Sequence, residues 1–244
     1  MKLTGNKILI TGGATGIGLG LTERFLRENN TVIVCARRES VLKELSDKHP
    51  SVITRVCDLS KPSEREALFA WISKEHADLN VLVNNAGIQQ WMSVLDGDFL
   101  ERAKAEMAVN IEAPMHLASL FANFESLTTV INVTSGLAYV PLVKVPVYSA
   151  TKAFMHSFTL SLRQILQPTG IEVIELIPPA LNTDLGGKGI HDFASPVCDF
   201  IDAVFMQLAE QKTEISFGFS DVMVKAGPEE LHAAFARMNA STPV

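Results

Sequence analysis

The chain is poor in cysteine and has no paired cysteine motif. Cys35, Cys57 and Cys198 are odd in number, widely separated and without a CxxC pair, which argues against a disulfide framework or a thiolate metal site. Cys35 and Cys57 sit in apolar, strand-like runs and read as buried free thiols. No basic run offsets the net charge of −6, so no nucleic-acid partner is expected. No apolar stretch reaches 18 residues, and the run at 8–10 is far too short for the hydrophobic part of a signal peptide. A cytoplasmic protein without a membrane partner is the expectation. No linker, low-complexity segment or short repeat interrupts the chain, so residues 1–244 are expected to form a single domain.

What is present is ordinary for a globular protein with a real core: 47% hydrophobic and 20% charged residues. Short apolar runs bounded by turn residues alternate with helical patterns. Strands are expected at 7–10, 31–36, 52–57, 81–83, 129–133, 171–177 and 213–219. Helices are expected after the glycine turn at 11–18 and at 41–49, 62–76, 98–123, 147–167, 196–211 and 228–239. Ser60 is the expected N-cap of the third, with Pro62 in its first turn. Alternation at this spacing implies an α/β Rossmann fold, a doubly wound open parallel sheet of about seven strands with helices on both faces.

The first strand runs into Thr11-Gly12-Gly13-Ala14-Thr15-Gly16-Ile17-Gly18 and then into a helix. Strand, glycine turn and helix together are the context of a dinucleotide site. Gly12 permits the tight turn, Gly16 lets the backbone approach a pyrophosphate, and Gly18 allows close helix–strand packing. The pyrophosphate would lie at the helix N-terminus, where free N–H groups favour an anion. The second strand ends at Ala36 and is followed by Arg37-Arg38, with no carboxylate before Glu39. A carboxylate there binds a free ribose 2′-hydroxyl, whereas arginine suits a 2′-phosphate. NADP (NADPH) is therefore favoured over NAD, with Arg37 the better candidate. Paired arginines opening a helix are also compatible with a solvated face.

Tyr148 and Lys152 stand four residues apart, on one helix face. A free phenol titrates near ~10 and is a poor acid or base at neutral pH. A cation ~5 Å away in an effective dielectric of ~20 contributes ~3 kcal/mol, or roughly two pKa units downward. Any amphipathic helix can carry such a pair, so the motif draws its weight from the rest of the chain.

TGxxxGxG at Thr11 to Gly18, NNAG at Asn84 to Gly87, Asn110, Ser135 and YxxxK at Tyr148 to Lys152 occur in this order, each at the end of an expected strand or on an expected helix. In these pieces, over roughly residues 4–220, the chain resembles the short-chain dehydrogenase/reductase family. The segments EISFGFSD and FARMN, with the Pro178-Pro179-Ala180 turn, are similar to its DltE-like branch. The resemblance implies an NADP-dependent oxidoreductase that interconverts a carbonyl compound and a secondary alcohol by hydride transfer. It makes Tyr148 the acid/base, Lys152 a ribose-holding partner that lowers the phenol pKa, and Ser135 a donor to the substrate oxygen. Asn110 would anchor a water linking Lys152 to solvent; a buried Asn bonding locally to backbone is the plainer alternative. For the cofactor it implies Thr11, Gly12, Thr15, Gly16, Ile17 and Gly18 at the phosphates, and Arg37 and Arg38 at the 2′-phosphate. Asp58 and Leu59 would meet the adenine, and Asn85, Ala86 and Gly87 the adenosine side. Tyr148, Lys152, Pro178 and Thr183 would serve the nicotinamide end. The chain departs from the family pattern at Pro179, where a glycine is usual, and this bears on backbone geometry at that end.

Substrate contacts are expected from Gln89, Gln90 and Trp91, from residues 137–143, and from a glycine-rich lid at 185–194 carrying His191 and Phe193. Trp91 and Phe193 suggest an apolar or aromatic carbonyl compound. The 147–167 helix is apolar on more than one face and should meet a second subunit, so a homodimer or homotetramer is expected. No metal is expected. Two other functions share these motifs: an epimerase or dehydratase on the same scaffold, and an NADP-binding sensor or scaffold without turnover.

Overall fold

The computed structural model describes residues 1–240. Seven strands, β1 (Lys7–Thr11), β2 (Thr31–Ala36), β3 (Ile53–Val56), β4 (Val81–Asn84), β5 (Thr129–Val133), β6 (Glu172–Ile177) and β7 (Glu214–Ser216), form one sheet in the order β3-β2-β1-β4-β5-β6-β7. Every pairing is parallel. The strands are linked through α1 (Gly16–Arg27), α2 (Glu39–Lys48), α3 (Pro62–Glu75), α4 (Phe99–Met107), α5 (Ala113–Phe121), α6 (Pro146–Leu166) and α7 (Val197–Ala209). After β7 come α8 (Phe219–Lys225) and α9 (Pro228–Asn239). This is the Rossmann arrangement expected from the alternation of apolar runs and helices.

The strands read as unbroken apolar runs because both of their faces are covered. Alternate residues supply two separate cores. Ile8, Ile10, Val32 and Val34 pack against Leu21 and Phe25 of α1 and against Val204 and Phe205 of α7. Leu9, Ile33, Leu82 and Val130 face the other way, onto Leu68 and Ile72 of α3, Phe121 of α5 and Leu162 of α6. Strand order reverses between β1 and β4, so the connections leaving them diverge and open a crevice at the carboxyl ends of the central strands.

Three local expectations give way. Ser60 is not the N-cap of α3: that position is Lys61, and the Ser60 hydroxyl donates to the Asp58 carboxylate at 2.7 Å. The long helix at 98–123 changes type midway, with a π-helical turn at Ala108–Glu112 between α4 and α5. Asn110 lies inside that turn. The last strand stops at Ser216, because Gly218 adopts φ +56° and starts α8.

Phe25 is fully buried, with its ring 4.9 Å from that of Phe205 in an edge-on contact. Phe25→Ala is expected to destabilise the protein by about 3–5 kcal/mol. The urea midpoint should fall with an unchanged slope.

Candidate active site

The glycine turn is built by contacts that leave no room for side chains. A Cβ on Gly18 would lie 2.3 Å from the Gly12 carbonyl oxygen, and one on Gly12 would lie 3.0 Å from Ala86 Cα. Gly12 and Gly16 adopt φ +64° and +52°, which also favours glycine. The Gly12 N–H donates to the Cys35 carbonyl at 2.8 Å. Asn85 closes the turn from β4, its amide donating to the carbonyls of Thr11 and Gly12 at 2.9 and 3.2 Å. Thr15 precedes α1 in extended conformation and makes no side-chain capping bond. The first N–H groups of α1 therefore remain available to an anion.

A groove of about 730 Å³ runs along these ends. It is lined by Gly12, Thr15, Gly16, Ile17 and Gly18, by Asn85, Ala86 and Gly87, and by Tyr148, Lys152, Pro178 and Thr183. Arg37, Arg38, Asp58 and Leu59 line its far end, where both arginines are exposed. Asp58 accepts from the Ser60 N–H and hydroxyl, and these bonds with the nearby Lys61 and Arg37 hold its carboxyl below the usual range although partial burial opposes them. Thr11 is different. Its hydroxyl is buried, donates to the Val83 carbonyl at 3.2 Å and accepts from the Asn85 and Ala86 N–H groups at 3.0 Å. Thr11 thus splices β1 to β4 behind the groove instead of lining it. Cys35 and Cys57 are both buried, and burial pushes Cys57 up to about 11, so neither is a ready nucleophile.

The π turn, β5 and α6 bring four polar side chains together. The Asn110 amide oxygen accepts from the Ile88 N–H at 2.9 Å, and its nitrogen donates to the Ile88 carbonyl at 2.8 Å and to Thr151 Oγ1 at 3.2 Å. Its partners are thus in the loop after β4 and in α6, not in its own helix. Gly87 sits so close that a Cβ there would be 3.4 Å from Asn110 Oδ1 and 3.8 Å from Lys152 Nζ. Ser135 Oγ accepts from the Leu137 N–H at 3.1 Å, and its hydroxyl lies near Tyr148. The Gly136 N–H donates to the Pro178 carbonyl at 3.0 Å, so the Pro178-Pro179 turn is fastened to the serine loop.

The electrostatics differ from what spacing alone suggests. Lys152 Nζ lies 5.5 Å from the Tyr148 ring centroid, but its hydrogen bond goes to the Val133 carbonyl at 2.8 Å. Burial raises the Tyr148 pKa, the charge of Glu106 raises it further, and the nearby Ser135 hydroxyl opposes both. The net shift is upward, opposite to the one the lysine spacing suggests. Burial brings Lys152 down to about 8, while Glu175 favours its charge.

Some neighbours of the site are absent from the sequence reading. Glu175 is wholly buried in β6, accepts from Thr134 Oγ1 at 2.6 Å and pairs with His156 Nδ1 at 3.0 Å. That pairing raises the His156 pKa against the opposing effect of burial. Glu175, flanked on both sides by apolar residues in the run 173–177, is the sequence signal of a buried acid. Glu106, also wholly buried, stands four residues before Asn110 and so on its helix face. The anticipated substrate loops do meet. Trp91, Leu142, Lys144, Ile190, His191, Phe193 and Met238 line a second pocket of about 440 Å³.

The model of the short chain dehydrogenase family matches residues 6–192. The chain belongs to that family. It is 45% identical over 199 residues to the uncharacterized oxidoreductase DltE of Bacillus subtilis (strain 168), covering 77% of this chain and 76% of that protein. It is 29% identical over 175 residues to the NADP-dependent 3-hydroxy acid dehydrogenase YdfG of Escherichia coli (strain K12), covering 70% and 71%. A crystal structure of a short chain dehydrogenase from Burkholderia cenocepacia J2315 in complex with NADP superposes over the full length of both chains, with TM-score 0.85 and 27% identity. The chain is accordingly a short-chain oxidoreductase of the DltE-like branch. No helix is long and apolar enough to cross a membrane, and no cluster of three or more His, Cys, Asp or Glu suited to a metal occurs among the described residues.

Gly18→Ala should force the turn apart at backbone atoms that cannot yield. Cofactor binding, followed by quenching of protein fluorescence, is expected to fall at least tenfold while the circular dichroism spectrum is retained.

Proposed function

We propose that this oxidoreductase uses NADPH to reduce a carbonyl compound to a secondary alcohol, with Tyr148 as proton donor, Ser135 as the substrate-oxygen donor and Lys152 and Asn110 as their support. The observation that carries this reading is the groove that leads from two exposed arginines, past an uncapped helix N-terminus, to a buried Tyr148 beside Ser135 and Lys152. The residues fit a dinucleotide. The backbone space at Gly12, Gly16 and Gly18 suits a pyrophosphate, and Arg37 and Arg38 suit a 2′-phosphate. When bound, NADPH supplies the hydride. The NADP named with the Burkholderia cenocepacia structure and with YdfG supports the same preference.

In this reading Ser135 directs its hydroxyl at the carbonyl oxygen and stabilises the negative charge that develops there. Tyr148, kept protonated by its buried position, gives its proton to that oxygen. Lys152 lies one turn further along the helix and holds a positive charge at the base of the groove. Asn110 fixes the loop after β4 at Ile88, which keeps Gly87 against Lys152. Trp91, Phe193 and their neighbours form the apolar wall for the substrate, and residues 185–194 are its lid. The 1–244 chain works as one NAD(P)-binding domain.

The test pairs a binding and a turnover measurement. NADPH is expected to bind at least tenfold more tightly than NADH at fixed salt, and Arg37→Ala to abolish that preference. Tyr148→Phe should keep NADPH affinity and lose at least 10²-fold in carbonyl reduction. Equal binding of both cofactors by the unaltered protein would sink the NADP assignment, and an active Tyr148→Phe would sink the proton-donor role.

Phe154, Leu160 and Ile165 on α6 are 42, 44 and 66% exposed. An apolar helix face of this kind supports a homodimer or homotetramer. Sedimentation at micromolar concentration is expected to give a dimer or larger, and Ile165→Asp to shift it toward monomer.

A further inference from the structure

One stripe of α4 and the π turn holds the whole loop that follows β4. Arg102, Glu106 and Asn110 recur every four residues and so share a helix face. Asn110 takes both backbone groups of Ile88, at 2.9 and 2.8 Å. The Glu106 carboxylate accepts from the Gln90 N–H. Arg102 donates to the Trp91 carbonyl and, through Nε, to the Gln90 side chain at 3.3 Å. The helix thus grips residues 88, 90 and 91 in reverse order.

Glu106 is the costly member of the stripe. It is 0% exposed, and its Oε2 accepts no hydrogen bond from any described residue. An apolar side chain would fill the position without desolvating a carboxylate. Burial raises the Glu106 pKa to about 7 against the Gln90 bond and the Arg102 charge, and the field of Glu106 reaches Tyr148.

We propose that Glu106 is a positioning residue of the reaction: it fastens the loop that carries Gln90 and Trp91, and its protonation state sets the seating of that loop. The charged and titratable groups around it are few. Arg102 lies one turn back on α4 and is itself paired with Asp96 and Asp98 at 3.4 and 3.5 Å, and α6, which carries Tyr148, packs against α4. Lys152, next on the Tyr148 face, meets Asn110 across Gly87. Gln90 and Trp91 bring no charge, but Lys144 lies 5.3 Å from the Trp91 ring centroid and His191 lines the same pocket as Trp91.

An ionised carboxylate accepts the Gln90 N–H more strongly than the neutral acid does. The loop should therefore loosen as pH falls through the Glu106 midpoint, and KM for reduction should rise about threefold or more between pH 8 and pH 6 in the unaltered protein while staying flat in Glu106→Gln. A purely structural role would raise KM equally at both pH values.

The kinetic arm rests on the proposed carbonyl reduction, so a second arm does without it. The chain has two tryptophans, Trp71 and Trp91. In Trp71→Phe, the emission of Trp91 is followed between pH 5 and pH 9 without substrate or cofactor. A midpoint near pH 7 is expected, and it should vanish when Glu106→Gln is added. A midpoint that survives belongs to another group and overturns the proposal, as do superimposable kinetic profiles. Should Glu106→Gln fail to fold, Arg102→Gln in the Trp71→Phe background carries the test. Loss of the nearby cation must move the midpoint upward, and an unmoved midpoint overturns the proposal. Absence of any carbonyl turnover would count against the proposed function, and the Trp91 titration would still decide the role of Glu106.

Discussion

Lys152 takes an ammonium group to a place where it is 5% exposed, at the carboxyl edge of β5. A buried cation is tolerated only when its donors and its charge are answered nearby. One N–H goes to the Val133 carbonyl, at the last residue of β5. The charge is answered from behind the strand by Glu175. Glu175 is itself buried and is held by Thr134 at the strand end and by His156, one turn beyond Lys152 on the same helix. The site therefore depends on the register of three elements at once. β5 must end at Val133, β6 must carry an acid three residues from Pro178, and α6 must present Tyr148, Lys152 and His156 on one face.

That register is secured by the sheet. β5 pairs with β6 residue for residue from Thr129–Glu172 to Val133–Leu176, and their buried apolar side chains fix which face each residue occupies. The reversal of strand order at β1 and β4 then puts the glycine turn next to the lysine. The splice by Thr11 and Asn85 joins the two sides across that reversal. A crevice at such a point is open by topology, so the ligand groove needs no cavity cut into either core.

The parts legible in the sequence are those whose meaning lies in short spacing. The glycine turn, the arginines after β2 and the Tyr148–Lys152 pair each declare themselves within eight residues, and the strands declare themselves as apolar runs. Asn110 was readable too, as a polar residue that a buried helix has little reason to hold. Its partner Ile88 was not, because that contact spans 22 positions. Glu175 and His156 meet across 19 positions, and Glu106 reaches Gln90 across 16. The Ser60 cap failed for a similar reason: Asp58 competed for the hydroxyl, and no propensity scale includes that rival acceptor. A spacing argument contains the Coulomb attraction of Lys152 but not the desolvation of a buried phenol, which raises its pKa.

The two buried acids act on different members of the pair. Glu175 favours the charged form of Lys152, and Glu106 favours the neutral form of Tyr148. Neither touches the groove surface, yet together they bias the site toward an ammonium beside an intact phenol. An intact phenol is the form that can give up a proton, and a cation next to it stabilises the phenolate left behind. The protonation states of the pair are thus influenced from α4 and β6, outside the four side chains that carry the family pattern.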